Sequence, residues 1–270
     1  MTPLVDLAVN TFERSYRSVL APGFFPQIEA QHRYRFASRI AVINNVESRA
    51  DAKAHAEDLV RRGEIDHFEF VADHLERALE HVGLTRRDLG RIPYYTDWAI
   101  VAVCLRGSPW LLCWDADIRM REPANWIEPA IALMERDLRI MTANPNWQSG
   151  TLERETIETS GGFALGYGFS DQAFLVRRAD LARPIYRERC VASLRYPLSH
   201  IAPIFEQRVD AYMRTHRRLR ATFREAVYIH PGEGVSYPAL TLTETAQRIL
   251  NRALLVGRRM IPSRDPAQRA

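Results

Sequence analysis

Lysine is almost missing from this chain. Lys53 is the only one among 270 residues, and nearly all of the positive charge is arginine. GC-rich coding alone would produce that bias, although arginine also suits bidentate binding of phosphate. The scarcity removes one reading at once: in the glycine-rich run 161–168, Tyr167 stands where a Walker loop needs its lysine, and a flexible acceptor loop is the better expectation there. Cysteine is scarce too. Cys104, Cys113 and Cys190 are odd in number and form no Cys-x-x-Cys pair, which points to a reduced, cytosolic compartment. No window of about 18 apolar residues is present, so no membrane-spanning helix is expected. Asp6 interrupts the short N-terminal apolar stretch, so no signal peptide is expected either. There is no internal repeat and no low-complexity tract. What remains is ordinary for a globular protein: 46% hydrophobic and 26% charged residues, net charge +4 and a pI near 9.1. That is enough chain for one large α/β domain, and the basic excess is too modest to call for a nucleic-acid partner.

The most informative stretch is 110–117, Trp-Leu-Leu-Cys-Trp-Asp-Ala-Asp. A short apolar run, the length of a buried strand, ends abruptly in two carboxylates one residue apart. In a strand, residues i and i+2 point to the same side. Asp115 and Asp117 are therefore expected to converge at the open end of a sheet, where α/β folds place their ligands. Two carboxylates at one spot repel each other unless a cation joins them, and Mg²⁺ or Mn²⁺ prefers such oxygen ligands together with substrate phosphates. The same segment is no calcium loop, because Met120 occupies the obligatory glycine position.

Periodicity places strands at 4–10, 39–45, 68–71, 110–117, 139–143, 172–176 and 224–229. Helices are expected from Ser15 and over 51–62, 75–82, 94–106, 123–136, 203–216 and 243–259. The alternation of strand and helix through the first half predicts a mainly parallel twisted sheet flanked by helices.

In this order and spacing, over roughly residues 4–232, the chain resembles the GT-A fold glycosyltransferases, which use nucleotide-diphosphate sugars and a divalent metal. Residues 10–14, Asn-Thr-Phe-Glu-Arg, look like the family's first strand end, which contacts the nucleotide. Ile43-Asn44-Asn45 resembles the strand end near the base or ribose, and Asp115-Ala116-Asp117 the Asp-x-Asp metal motif. Residues 170–178 resemble a strand that carries acceptor-side groups. Residues 205–214 resemble the helix start bearing the catalytic carboxylate of inverting members, and His230 stands where a third metal ligand is often found. Two departures matter. The usual acidic pair is Glu206-Gln207 here, and Ser170-Asp171-Gln172 also resembles the Asp-Gln motif of some retaining members.

The resemblance implies a single α/β GT-A-like domain over 1–240, with a donor-nucleotide half at about 1–145 and an acceptor half at 146–240, followed by a basic amphipathic helix and tail at 241–270. It implies donor contacts from Asn10, Thr11, Phe12, Arg14, Asn44, Asn45, Asp115, Ala116 and Asp117, with Mn²⁺ or Mg²⁺ held by Asp115, Asp117 and His230. Glu206 would be the base, with Asp171 as the other catalytic carboxylate. Asp210, one helical turn after Glu206, could share its face. Arg14 and Arg91 are candidates for phosphate contact. The implied partners are a nucleotide-diphosphate sugar and a saccharide, lipid-linked or other hydroxyl acceptor, in surface polysaccharide or glycoconjugate assembly. The place would be the cytoplasm or the inner face of the plasma membrane, with the C-terminal helix making peripheral membrane contact or packing on its own domain.

Three other readings use the same carboxylates. A haloacid-dehalogenase-like phosphatase normally carries its Asp-x-Asp on the first strand and needs a downstream lysine, and none follows Lys53. A nucleotidyltransferase needs a glycine-rich start that is missing here. A silent nucleotide-sugar binding module would keep the fold without the base.

Overall fold

A computed structural model describes residues 3–148, 152, 156–230 and 238–260. The strands are β1 (Val5–Thr11), β2 (Ser38–Ile43), β3 (His67–Phe70), β4 (Trp110–Asp115), β5 (Arg119–Met120), β6 (Ile140–Trp147), β7 (Thr156–Ser160), β8 (Phe163–Gly166), β9 (Ala173–Arg177) and β10 (Leu219–Ile229). The helices are α1 (Tyr16–Val19), α2 (Phe24–His32), α3 (Arg49–Arg61), α4 (Val71–His81), α5 (Asp97–Cys104), α6 (Ile127–Arg136), α7 (Arg178–Leu181), α8 (Phe205–Thr215) and α9 (Leu242–Met260). The described strands form one sheet in the order β3-β2-β1-β4-β9-β6-β10-β8-β7, with β5 paired to β10. It is parallel from β3 through β4. Beyond β4 it is mixed, because β9 enters antiparallel between β4 and β6.

Alternation along the central strands builds two cores, one on each face of the sheet. Val5, Leu7 and Val9 of β1 and Trp110, Leu112 and Trp114 of β4 meet apolar residues of α1, α2, α3 and α6. Ala8, Leu111 and Cys113 point to the other face, against α4, α5, α7 and α8. Every residue of β1 is buried, as expected of a parallel strand covered on both sides. No helix among the described residues is long and apolar enough to cross a membrane, and the three cysteines are unpaired.

Four expectations need correction. The helix foreseen over 94–106 is split: a 3₁₀ turn at Pro93–Tyr95 precedes α5, which starts at Asp97. The helix foreseen from residue 123 begins only at Ile127, after Trp126. The late strand is longer than foreseen and starts at Leu219. The glycine-rich run is not a flexible loop, since Phe163–Gly166 forms β8 and pairs with β7 across a tight turn. Gly161 (φ 54°) and Gly162 (φ 83°) make that turn, with backbone angles that side-chain-bearing residues rarely adopt.

Candidate active site

The sheet gathers the chemistry at one edge. β1, β2 and β4 are parallel, so Asn10, Asn44 and Asp115 all lie at carboxyl ends, with Asn10 directly opposite Asp115. β9 is antiparallel to β4, which places the residues preceding it, Asp171 and Gln172, at that same edge. The Asp115 amide donates to the Gln172 carbonyl at 2.8 Å. β5 pairs antiparallel with β10, Arg119 opposite Ile229, and this register carries His230 to the turn after β4. There His230 Nε2 lies 2.8 Å from Asp117 Oδ2.

The strand itself stops at Asp115. Asp115 and Asp117 are therefore brought near one another by a turn and not by the i, i+2 alternation of a continuing strand. Asp115 shares the sheet face of Leu111 and Cys113, the side covered by α8. Its carboxyl is pushed well above the ordinary range, first by desolvation and then by the charges of Asp117 and Asp171. It keeps a window onto the cleft, being only half-buried, while the fold surrounds it on its other sides.

Asp171 and Glu206 form a second carboxyl group set. The Asp171 amide donates to Glu206 Oε1 at 3.1 Å. Burial raises both carboxyls. For Asp171 the neighbouring charge of Glu206 and their side-chain hydrogen bond raise it further, whereas the same bond lowers Glu206. Desolvation thus holds both carboxyls above the ordinary carboxylate range, and the two titrate as a pair. These residues line a cavity of about 310 Å³ together with Asn144, Trp147, Arg195, Tyr196 and Tyr228. Tyr228 Oη lies 3.3 Å from Ser170 Oγ and 3.4 Å from Gln172 Oε1, so the floor of this cavity is a hydroxyl and amide surface suited to a polyol.

A second cavity of about 490 Å³ opens past the ends of β2 and β3, lined by Asn44, Asn45, Arg49, Phe70, Arg86 and Asp97 among others. Asn44 Nδ2 donates to Asp97 Oδ1 at 2.8 Å, and the Trp98 amide donates to the same oxygen at 2.7 Å. Burial pushes the Asp97 carboxyl up to about 6. The Arg49 guanidinium lies 4.0 Å from the centre of the Phe70 ring and donates to Asp73 at 2.8 Å.

Not every candidate reaches the site. Arg91 is committed to Glu244, 2.6 Å away on α9, and lines neither cavity. Asp210 does not share the outlook of Glu206: it is fully buried and takes two bonds from Arg214 Nε, at 2.8 and 3.0 Å, and one from Ser193. Phe12 and Arg14 are exposed in the turn after β1, while Thr11 is buried and its hydroxyl lies 3.2 Å from that of Ser15. Residues 231 and 232, the Pro-Gly after His230, lie outside the described residues. Sequence reasoning missed Asp97, Arg49 and Arg86. Only the folded chain brings Asp97 to Asn44, 53 positions away.

The fit of a divalent cation rests on the donor set. Two carboxylates and an imidazole are suitable ligands for Mn²⁺ or Mg²⁺, and desolvation together with the charges of Asp117 and Asp171 bears on Asp115. Buried Asn10 Oδ1, facing the same edge, has no hydrogen-bond partner among the described residues. No three His, Cys, Asp or Glu side chains among the described residues stand close enough to enclose an ion on their own.

No protein-family model and no curated protein sequence matches the chain. Solved structures do. The chain is similar to GalNAc-T7 crystallised with UDP, GalNAc and Mn²⁺, with a TM-score of 0.50 and 9% identity, covering 93% of this chain and 48% of that one. The chain has the GT-A fold. The chain thus spans about half the length of GalNAc-T7. Two further likenesses have lower scores: glucosyl-3-phosphoglycerate synthase from Mycobacterium tuberculosis with Mn²⁺, UDP and phosphoglyceric acid (TM-score 0.43, 11% identity, 97% of this chain and 80% of that one), and S. aureus TarS (0.44, 9%, 98% and 68%). At such identities the likeness establishes architecture.

Proposed function

We propose that this GT-A chain transfers a sugar from a nucleotide-diphosphate sugar to a hydroxyl acceptor. The observation that carries the reading is the meeting of two carboxyl sets at one sheet edge, Asp115 and Asp117 beside His230 and Asp171 beside Glu206, the second set lining a cavity of about 310 Å³. The nucleotide occupies the cavity of Asn44 and Asp97, and its diphosphate extends past Asn10 toward Asp115. Asp117, His230 and Asp115 are the residues that would hold Mn²⁺ or Mg²⁺. Such an ion supplies Lewis-acid stabilisation of the departing diphosphate.

The acceptor lies in the cavity of Tyr228, Gln172 and Ser170. Glu206 removes the proton of its hydroxyl as that oxygen attacks the anomeric carbon. A desolvated carboxylate with a raised pKa is a stronger base than one in water. Asp171 holds Glu206 in place with its amide. With Glu206 as the base, the reading is a single displacement with inversion. The setting we attach, surface polysaccharide or glycoconjugate assembly, rests on the family resemblance. A haloacid-dehalogenase mechanism is disfavoured, since Lys53 sits on the outer face of α3, 3.5 Å from Glu57.

The test is a panel of UDP-, GDP- and dTDP-sugars assayed for hydrolysis and transfer with and without Mn²⁺. One donor is expected to turn over only with the ion, and Asp117→Ala is expected to abolish that dependence. Glu206→Gln is expected to lower transfer by about 10²–10⁴-fold while leaving nucleotide affinity within about twofold. Turnover of none of the donors, or full transfer by Glu206→Gln, overturns the assignment.

A further inference from the structure

The C-terminal helix α9 is mounted inside out. A surface helix of a globular protein normally turns its apolar stripe to the core. Here polar groups, with the half-buried Leu255 among them, face the body of the protein. Asn251 is buried and its Nδ2 donates to Ser199 Oγ at 3.2 Å. Gln247 Nε2 donates to Asn251 Oδ1 at 2.8 Å, Glu244 binds Arg91, and Arg258 is half-buried. With 3.6 residues per turn, the opposite face carries Leu242, Ile249, Ala253 and Val256, with Leu250 beside them. Leu242 is 92% exposed, Ile249 63%, Val256 57% and Leu250 51%. The 3₁₀ segment on which the helix rests, Val191–Arg195, adds an exposed Val191 to the same neighbourhood.

From this we infer that α9 docks the protein on an anionic lipid bilayer. Charge selects the occupant. Arg248 and Arg252 are exposed on the flank of the apolar face. The one acidic residue within the helix, Glu244, is turned inward and neutralised by Arg91 at 2.6 Å. An apolar face rimmed by arginine is the pattern that sinks into the headgroup boundary of anionic membranes. A second copy is a poorer occupant, because a two-fold contact on this face would set each arginine pair near its own copy. The geometry also gives the docking a direction. Arg195 ends the segment under α9, and it lines the acceptor cavity together with the next residue, Tyr196. A bilayer against the apolar face of α9 lies on the far side of the helix from that segment, about one helix diameter (~10 Å) away. The docking itself stands on the helix alone and does not depend on sugar transfer.

The full chain is sedimented with vesicles of pure phosphatidylcholine and with vesicles containing half phosphatidylglycerol. Binding to the anionic vesicles is expected to exceed binding to the neutral ones by at least tenfold, and to weaken severalfold in 0.5 M salt. Ile249→Asp with Val256→Asp is expected to lower it by at least tenfold without changing the melting temperature, because both side chains already face solvent. Arg248→Gln with Arg252→Gln leaves the apolar face untouched, and is expected to lower binding on the order of tenfold. That variant decides the matter if the aspartates disturb folding. No binding to anionic vesicles, or binding that neither variant changes, overturns the inference. So does a wild-type dimer in light scattering that the aspartate variant splits, in the absence of vesicle binding, which would assign the face to a second copy.

Discussion

At Asp97 burial raises the carboxyl from an ordinary 3.8 to about 6. The sign follows from proton linkage. Below about pH 4 the group is protonated in folded and unfolded chains alike and contributes nothing. Between about pH 4 and 6 the unfolded chain releases its proton first, so stability falls as pH rises. Above pH 6 the full penalty stands, on the order of 2–3 kcal/mol. Asp97→Asn keeps an oxygen to accept from Asn44 and the Trp98 amide but removes the charge. It is expected to raise stability at pH 7.5 by about 2 kcal/mol and to leave it unchanged at pH 4, as read by urea unfolding at the two values. An equal effect at both would rule out charge burial as the cause. A charge kept at such expense in a cavity is suited to a ligand, so the same variant is expected to bind nucleoside diphosphate more weakly. Residues of this kind were not legible in the sequence. Asp115 and Asp117 announce themselves because an apolar run ends in them, whereas Asp97 opens a helix that reads as core, and only its encounter with Asn44 gives it meaning. Asp210 misled for the opposite reason: its spacing from Glu206 is right, but Arg214, four residues on, draws it into the interior.

Elements meet most tightly below the site, where β1, β4 and α7 are tied by a buried ion pair. Arg178 Nη2 lies 2.7 Å from Asp6 Oδ2, and the Ser108 amide donates to the same oxygen at 2.7 Å. Arg178 also donates to the carbonyls of Ala102 and Ser108. Gly107 closes the knot: a Cβ there would fall 2.0 Å from Asp6 Oδ2 and 2.9 Å from Arg178 Nη2. Gly107→Ala is therefore expected to separate the pair and leave buried charge uncompensated, at about 3–5 kcal/mol. Guanidinium unfolding measures the loss, and a drop below about 1 kcal/mol would mean that the loop yields without breaking the pair. The helices and central strands around this knot were legible because their apolar periods are long and clean. β7 and β8 were not: Thr156–Ser160 is only partly buried, Phe163–Gly166 has four residues, and the glycines between them read as a loop until partners fix them.

On the scale of the whole molecule, the order of the sheet decides whether the two halves expected from the sequence can exist apart. Residues 1–145, the half expected from the sequence to bind the donor, hold β1 to β5 and most of β6, and residues 146–240, the expected acceptor half, hold the other strands. The strands do not respect that division. β9, from the second half, lies between β4 and β6 of the first and covers the flank of β4 from Trp110 to Trp114. β10 pairs with β6 in parallel over most of its length. Both cores likewise draw on both halves, since Phe205, Val209 and Met213 of α8 pack with Trp98 and Leu111, and Ala173, Leu175 and Tyr228 pack with Trp114. Removing the second half would expose the open edge of β4 and strip one face of the sheet, leaving unpaired strand and apolar surface to aggregate. A chain ending at residue 145 is expected to show no cooperative melting transition and to bind a hydrophobic dye at 25 °C, while residues 1–270 melt in one main transition by circular dichroism and by tryptophan fluorescence alike. A sharp transition from the short chain would show that the nucleotide half folds by itself. It would also mean that the insertion of β9, which brings Asp171 to Asp115, comes after the donor site is built.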